Sequence, residues 1–159
     1  MDLFDYSDAI FSPDRKYRYM LSRTWDNDKF KVAFIGLNPS RANEDHNDQT
    51  IQKVMRFAHK SGAGGFYMLN LFPFITPYPD DLVVMDNDTV FNENIRHLID
   101  YAKNKSEKTV FCWGAFNVLG RDEMIKDMFP DALCLGKNKD GSPAHPLYLP
   151  KDTPLIPFH

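Results

Sequence analysis

The sequence predicts an α/β protein, a three-layer α/β/α sandwich built on a mostly parallel four-stranded sheet. Three observations lead there. Short apolar runs rich in β-formers recur at residues 31–36, 66–71, 109–113 and 132–135, each bounded by Gly, Pro or polar residues. Segments with apolar residues at helical spacing lie between them. The runs are apolar at consecutive rather than alternate positions, as in strands covered on both faces. Strand alternating with helix implies parallel strands joined by crossovers, with helices on both sides of the sheet.

Taken in order, residues 1–12 mix polar and aromatic side chains without a clear period. Residues 16–25 alternate well enough for a strand, and Asp26-Asn27-Asp28 is a turn signal. These pieces are expected to form a hairpin-like approach to the strand that begins at Lys31. Val32, Ala33, Phe34 and Ile35 form the buried run of that strand. Gly36 breaks the pattern and Pro39 forbids its continuation. After a polar loop, Asp48 and Thr50 can cap a helix over 49–60 whose Ile51, Val54, Met55 and Ala58 share one face. Gly62, Gly64 and Gly65 end it ahead of the strand at 66–71, and a loop containing Pro73, Pro77 and Pro79 follows. Asp86 or Asp88 caps a longer helix to about residue 103, with Val90, Ile95, Leu98 and Ile99 inward. Gly114 turns the chain after the strand at 109–113. A short helix over 122–128 ends at Pro130, and the strand at 132–135 leads into a loop-like tail.

A chain of 159 residues fits one domain, residues 1–159, and can bury a sizeable core. Hydrophobic residues at 43% and charged residues at 26% are ordinary globular values, and no repeat or linker divides the chain. The 14% aromatic content suits both packing and base stacking. A formal net charge of −3 excludes a wholly basic, histone-like binder, yet leaves room for a local patch that grips a few phosphates. Cys112 and Cys134 fall in separate apolar runs, which argues against a disulfide framework, and no Cys–His spacing suggests zinc. No signal-like segment opens the sequence and no apolar run is long enough for a bilayer, so a cytoplasmic protein with no membrane partner is expected.

In open α/β sheets ligands bind at the carboxyl ends of the strands. Four polar features fall there or in the loop after the last strand: Asn38 after KVAFIGL, Asn70 within FYMLNLF, the Trp113-Gly114 turn after TVFC, and His145 in SPAHPLYL. Together they would supply two amides, a tight turn and an imidazole. Each also has a plain alternative. Asn38 can bond its own backbone in a turn. Asn70 can satisfy strand-end backbone groups, His145 can be an exposed loop histidine, and Trp113, Phe72 and Phe74 can be core.

In this order, GLNPS, YMLN, VFCWG and AHPLYL resemble the motifs of the uracil-DNA glycosylase superfamily. Its best-known branch carries a Gly-Gln-Asp-Pro-Tyr turn, a strand ending in Asn, a strand ending in Trp-Gly, and a His-Pro-Ser-Pro-Leu loop. The mismatch-specific branch has Asn where the first has Asp, as Asn38 stands here. The chain also looks like a small bacterial and phage group with GLNPS, NLF and WG elements. The resemblance covers residues 31–149.

The resemblance implies a uracil-DNA glycosylase-like fold and a monofunctional DNA N-glycosylase that needs no cofactor and no metal. Asn38 would hold the attacking water near the sugar C1′, and His145 would stabilise charge on the departing base. Asn70 would read the edge of a flipped pyrimidine with one donor and one acceptor, and Phe72 would stack on it. Leu147 and Tyr148 would fill the gap left by the extruded nucleotide. Lys137, Lys139 and Lys151 would meet phosphates, with a lysine-bearing solvated loop as the alternative.

The departures are informative. Ser40 replaces a bulky Tyr that excludes 5-substituted pyrimidines, so a wider pocket is implied, with Arg41 or the loop 43–48 touching the substituent. A modified cytosine or uracil, such as a sugar-decorated base of phage DNA, is therefore the expected substrate, in an antiviral role. Leu147 stands directly after His-Pro, where the branch has Ser, a departure that bears on one phosphate contact and on which residue is the wedge. Asp45 and Asp48 offer stronger bases than Asn38, with helix capping the alternative for Asp48. The expected partner is DNA and the expected state a monomer. Rival readings are a repair glycosylase for uracil or damaged bases, a hydrolase of free nucleosides or nucleotides, and a non-catalytic binding module.

Overall fold

The apolar run at Lys31–Gly36 (β3) forms the central strand, and Val32 to Ile35 are completely buried. The computed structural model describes residues 6–116 and 119–159. Parallel neighbours flank β3 on both sides: β4 (Gly65–Asn70) and β5 (Lys108–Phe111), the latter paired in turn with the short β6 (Leu133–Cys134). This parallel centre accounts for the four strands expected. Three antiparallel strands extend it: β1 (Tyr6–Phe11) and β2 (Arg18–Thr24) beyond β4, and β7 (Ile156–Pro157) beyond β6. The sheet is thus seven-stranded and mixed, in the order β1-β2-β4-β3-β5-β6-β7.

The difference from expectation has local causes. β1 is an edge strand, mostly half-buried along its length, so its sequence carries no contrast between faces. β2 is buried at all seven positions and covers the otherwise open edge of β4, with Leu21 opposite Met68, instead of pairing with β3. The turn that sends the chain from β2 to β3 packs on Gly64, where an added Cβ would lie 1.9 Å from the Asp26 carbonyl oxygen.

Helices cover both faces. α1 (Gln49–Lys60) packs Ile51, Val54, Met55, Phe57 and Ala58 against Val32, Phe34, Phe66 and Val110. Its cap is Asp48, whose Oδ1 accepts from the Ile51 N–H at 2.9 Å; Thr50 lies inside the first turn. On the opposite face, α3 (Asp88–Leu98) and α4 (Arg121–Met128) contribute Leu98 and Ile125 to a core with Ala33, Ile35, Leu69 and Phe111. A short α2 (Asp81–Met85) precedes α3 and buries Leu82. Asn87 caps α3 rather than the aspartates beside it, while Asp86 pairs with Arg121. The chain then widens into a π-turn at Ile99–Lys103, which turns Ala102 inward and leaves Ile99 exposed, against the inward placement expected of it. Among the described residues, no helix is long and apolar enough to cross a membrane.

Candidate functional site

The carboxyl ends of β3 and β4 and the turn after β5 open onto one cavity of about 340 Å³. Asn38, Asn70, Trp113 and His145 all line it, with Arg18, Ser40, Asp48, Thr76, Leu147 and Tyr148 among the other walls. Its volume is at the lower end of the ~300–1,000 Å³ common for small-molecule sites. A surface groove of about 490 Å³ adjoins it and holds Arg41, Gln49 and Gln52. The two share Ser40, Asp48, Thr50 and Leu147.

Asn38 has a fixed orientation. Its Nδ2 donates toward the carbonyls of Pro39 at 3.1 Å, Phe74 at 3.2 Å and Thr76 at 2.7 Å. Three carbonyls around one end of an amide require the nitrogen there, which leaves Oδ1 as a free acceptor. An acceptor held this way can orient a water but is too weak a base to deprotonate it.

Asn70 ends β4 with its side chain almost completely buried, and neither its Oδ1 nor its Nδ2 has a hydrogen-bond partner among the described residues. Its backbone is held firmly: Nδ2 of Asn94 donates to the Asn70 carbonyl at 2.9 Å and to that of Leu71 at 3.2 Å. Gly36 makes room for it, since a Cβ there would lie 2.9 Å from Asn70 Oδ1 and 2.8 Å from Met68 Cε. Buried polar atoms are normally paired, so two orphans on one side chain mark a group kept ready for something else.

His145 arrives on a loop tied to the Trp113-Gly114 turn. Gly114, at φ +83°, donates its N–H to the Pro143 carbonyl at 2.9 Å, and Ala144 donates to Gly136 at 2.9 Å. The Leu147 N–H donates to His145 Nδ1 at 3.1 Å, so the neutral ring carries its proton on Nε2. Burial holds the imidazole below its usual pKa, partly opposed by the nearby Asp48 charge. The outcome is a neutral histidine that donates from Nε2. Leu147 is half-buried and Tyr148 is 83% exposed, both on a 3-10 turn at the mouth.

Asp48 spends both oxygens on structure, one on the α1 cap and the other as acceptor from the Ser40 hydroxyl. Asp45 is exposed and lines neither the cavity nor the groove. Cys112 also lines the cavity, but burial pushes its thiol up to about 12, which keeps it protonated. Among the described residues, no group of three or more His, Cys, Asp or Glu is placed to hold a metal ion.

Some residues singled out from the sequence lie elsewhere. Phe72, expected to stack on a base, is 2% exposed and belongs to the core with Leu69 and Leu82 rather than to the cavity wall. Its backbone N–H continues the β3–β4 ladder by donating to Leu37, which carries the ring away from the cavity. Arg41 reaches the groove but not the cavity. Lys137, Lys139 and Lys151 are exposed and line neither, and the Lys137 ammonium sits 5.0 Å from the Phe158 ring centroid.

Two buried arginines on β2 are the residues sequence reasoning missed. Arg23 clamps the loop whose His46 and Asn47 line the groove, donating to the carbonyls of Ser22, Asn43 and His46 and to Asn47 Oδ1. Arg18 lines the cavity itself, is 2% exposed, and donates from Nη1 to the Ala42 carbonyl at 3.0 Å. An arginine opening a strand of mixed character ordinarily signals a solvated end, so nothing in the sequence marks it as buried.

The fold and site define a class: an α/β protein with a polar, partly unsatisfied cavity at the carboxyl edge of a parallel sheet centre. The chain belongs to the family described as "Protein of unknown function (DUF1643)", which it matches over residues 18–147. No curated protein and no solved structure matches it.

Proposed function

We propose that this chain is a monofunctional DNA N-glycosylase of the uracil-DNA glycosylase type, which flips a 5-substituted pyrimidine into the cavity and hydrolyses its N-glycosidic bond. The observation that carries the reading is Asn70: a buried amide with both polar atoms unpartnered, in the wall of a cavity shared with Asn38 and His145. A donor and an acceptor on one rigid amide match the edge of a pyrimidine. Asn70 Oδ1 and the Cε of the unbranched, adaptable Met68 both lie against Gly36, so a pliable side chain borders the amide that would read the base.

In the reaction, the C1′–N1 bond breaks and its electron pair leaves with the base. A water oxygen bonds to C1′ and its proton ends on the departed base, leaving an abasic site. Asn38 Oδ1 orients that water, and Nε2–H of the neutral His145 donates to the base as charge gathers there. Tyr148 and Leu147 at the mouth supply the wedge. The adjoining groove with Arg41 gives a bulky 5-substituent somewhere to lie, which supports a decorated base of phage DNA and a role in antiviral defence. The enzyme works in the cytoplasm, as a monomer on DNA, with no cofactor.

One observation favours a second reading. The three lysines expected on phosphates line neither the cavity nor the groove, which suits a hydrolase of free modified nucleosides. The test incubates the protein with DNA carrying glucosylated hydroxymethylcytosine, with DNA carrying uracil and with the corresponding free nucleosides, then reads released bases by mass spectrometry. Release of the decorated base alone, abolished by Asn38→Ala, is the expected result. Release of uracil moves the protein to repair, and release from nucleosides but from neither DNA establishes the second reading.

A further inference from the structure

The Arg18 guanidinium is not explained by the fold. Arg23, on the same strand and under the same loop, is held by four oxygen acceptors. Arg18 is buried almost as deeply, but among the described residues it has only the Ala42 carbonyl, and its buried Nε has no partner there. No carboxylate among the described residues forms an ion pair with it; Asp48, whose charge acts on it, is occupied by Ser40 and the α1 cap. Burial depresses its pKa to about 10, still far above neutrality, so the side chain stays charged. A buried, unpaired cation is costly and persists where a ligand supplies the missing negative charge. Both this cation and Asn70 line the same cavity.

We infer that Arg18 is a catalytic residue that stabilises the negative charge of the departing base, so that the cavity binds a planar pyrimidine anion more tightly than the neutral base. This rests on the glycosylase reading and deepens it. As the C1′–N1 bond breaks, the electron pair passes to the ring and spreads over its nitrogen and oxygen atoms. A fixed cation beside those atoms lowers the energy of the charge-separated state without reorganising. His145 is neutral and donates a single hydrogen bond, whereas Arg18 brings a full charge and free N–H donors.

The experiment measures binding rather than turnover, by titrating the protein with barbiturate, uracil and inorganic phosphate. Barbiturate is a planar pyrimidine that is anionic at neutral pH and so copies the departed base. Wild type is expected to bind barbiturate about 10–100-fold more tightly than uracil, the worth of one charge-assisted hydrogen bond. Arg18→Gln should erase that preference, and Arg18→Lys should keep part of it. Equal binding of the two pyrimidines by wild type, or a preference that survives in Arg18→Gln, overturns the role of Arg18 and leaves the glycosylase reading standing. Binding of neither pyrimidine overturns both. If Arg18→Gln does not fold, the Arg18 Nε–H resonance of the wild-type protein decides. A shift with barbiturate but not uracil supports the inference; a shift with phosphate alone reassigns Arg18 to a phosphate and overturns it.

Discussion

Replacing Asn70 by Leu should stabilise the protein while removing its activity. The side chain is 1% exposed, and both its polar atoms lack partners. Burying an amide without compensating bonds costs about 1–3 kcal/mol on the scale of protein mutational data. A leucine of similar length removes that cost and keeps apolar contact with Met68 and the core. The Asn94 clamp is untouched because it grips the Asn70 backbone carbonyl. For a domain of this size each kcal/mol moves the melting temperature by roughly 2–4 °C. Asn70→Leu is therefore expected to melt a few degrees above wild type in a calorimetric or circular-dichroism scan and to release no base in the mass-spectrometric assay. A lower melting temperature would mean that Asn70 is a structural residue whose bonds matter to the fold, refuting the argument from its orphaned atoms. A higher one with full activity would remove Asn70 from base recognition.

Gly36→Ala places a methyl group against Met68 Cε and Asn70 Oδ1. Met68 can yield but the amide must turn, so about 1–3 kcal/mol of overpacking in urea denaturation should accompany a larger loss of base release; unchanged activity would sink the placement. The depressed pKa of His145 keeps the ring neutral below the usual ~6.5, so base release should hold steady from pH 8 to about 6.5 and fall only further down. The unfolded chain takes up its proton first, so stability should decline as pH drops below ~6.5, with His59 and His97 acting in the same direction; His145→Gln should flatten that slope in melts between pH 8 and 5. Tyr148→Ala removes an exposed ring, so stability should stay within about 0.5 kcal/mol, whereas affinity in a DNA-binding titration should fall; unaltered DNA affinity would point to free nucleosides.

The parallel centre was legible because four buried strands leave unbroken apolar runs, and the span expected for α1 agrees with the one observed because Asp48 and Gly62 punctuate it. The outer strands were not. β1 is half-buried along most of its length and β7 is exposed at both of its residues, so neither prints an apolar pattern. Asn38, Asn70 and His145 were readable as candidates since strand ends deliver side chains to a known edge, and the cavity holds all three. Phe72 was misread because an aromatic after a strand end looks alike whether it points to the cavity or the core. Arg18 was invisible for a deeper reason. Its burial depends on β2 lying beside β4, a long-range pairing that no local window contains.

The Arg23 clamp has a consequence for how such a site changes over time. Two of its acceptors in the loop, at Asn43 and His46, are backbone carbonyls, which every residue type provides. The loop beside the groove is thus moored to the sheet largely through atoms that substitution does not remove. His46 lines the groove yet holds Arg23 through its carbonyl, so its side chain can be exchanged without casting the loop adrift while Asn38 and Asn70 stay in register. Under the proposed function, that separation would let new base decorations be met by rewriting the loop alone.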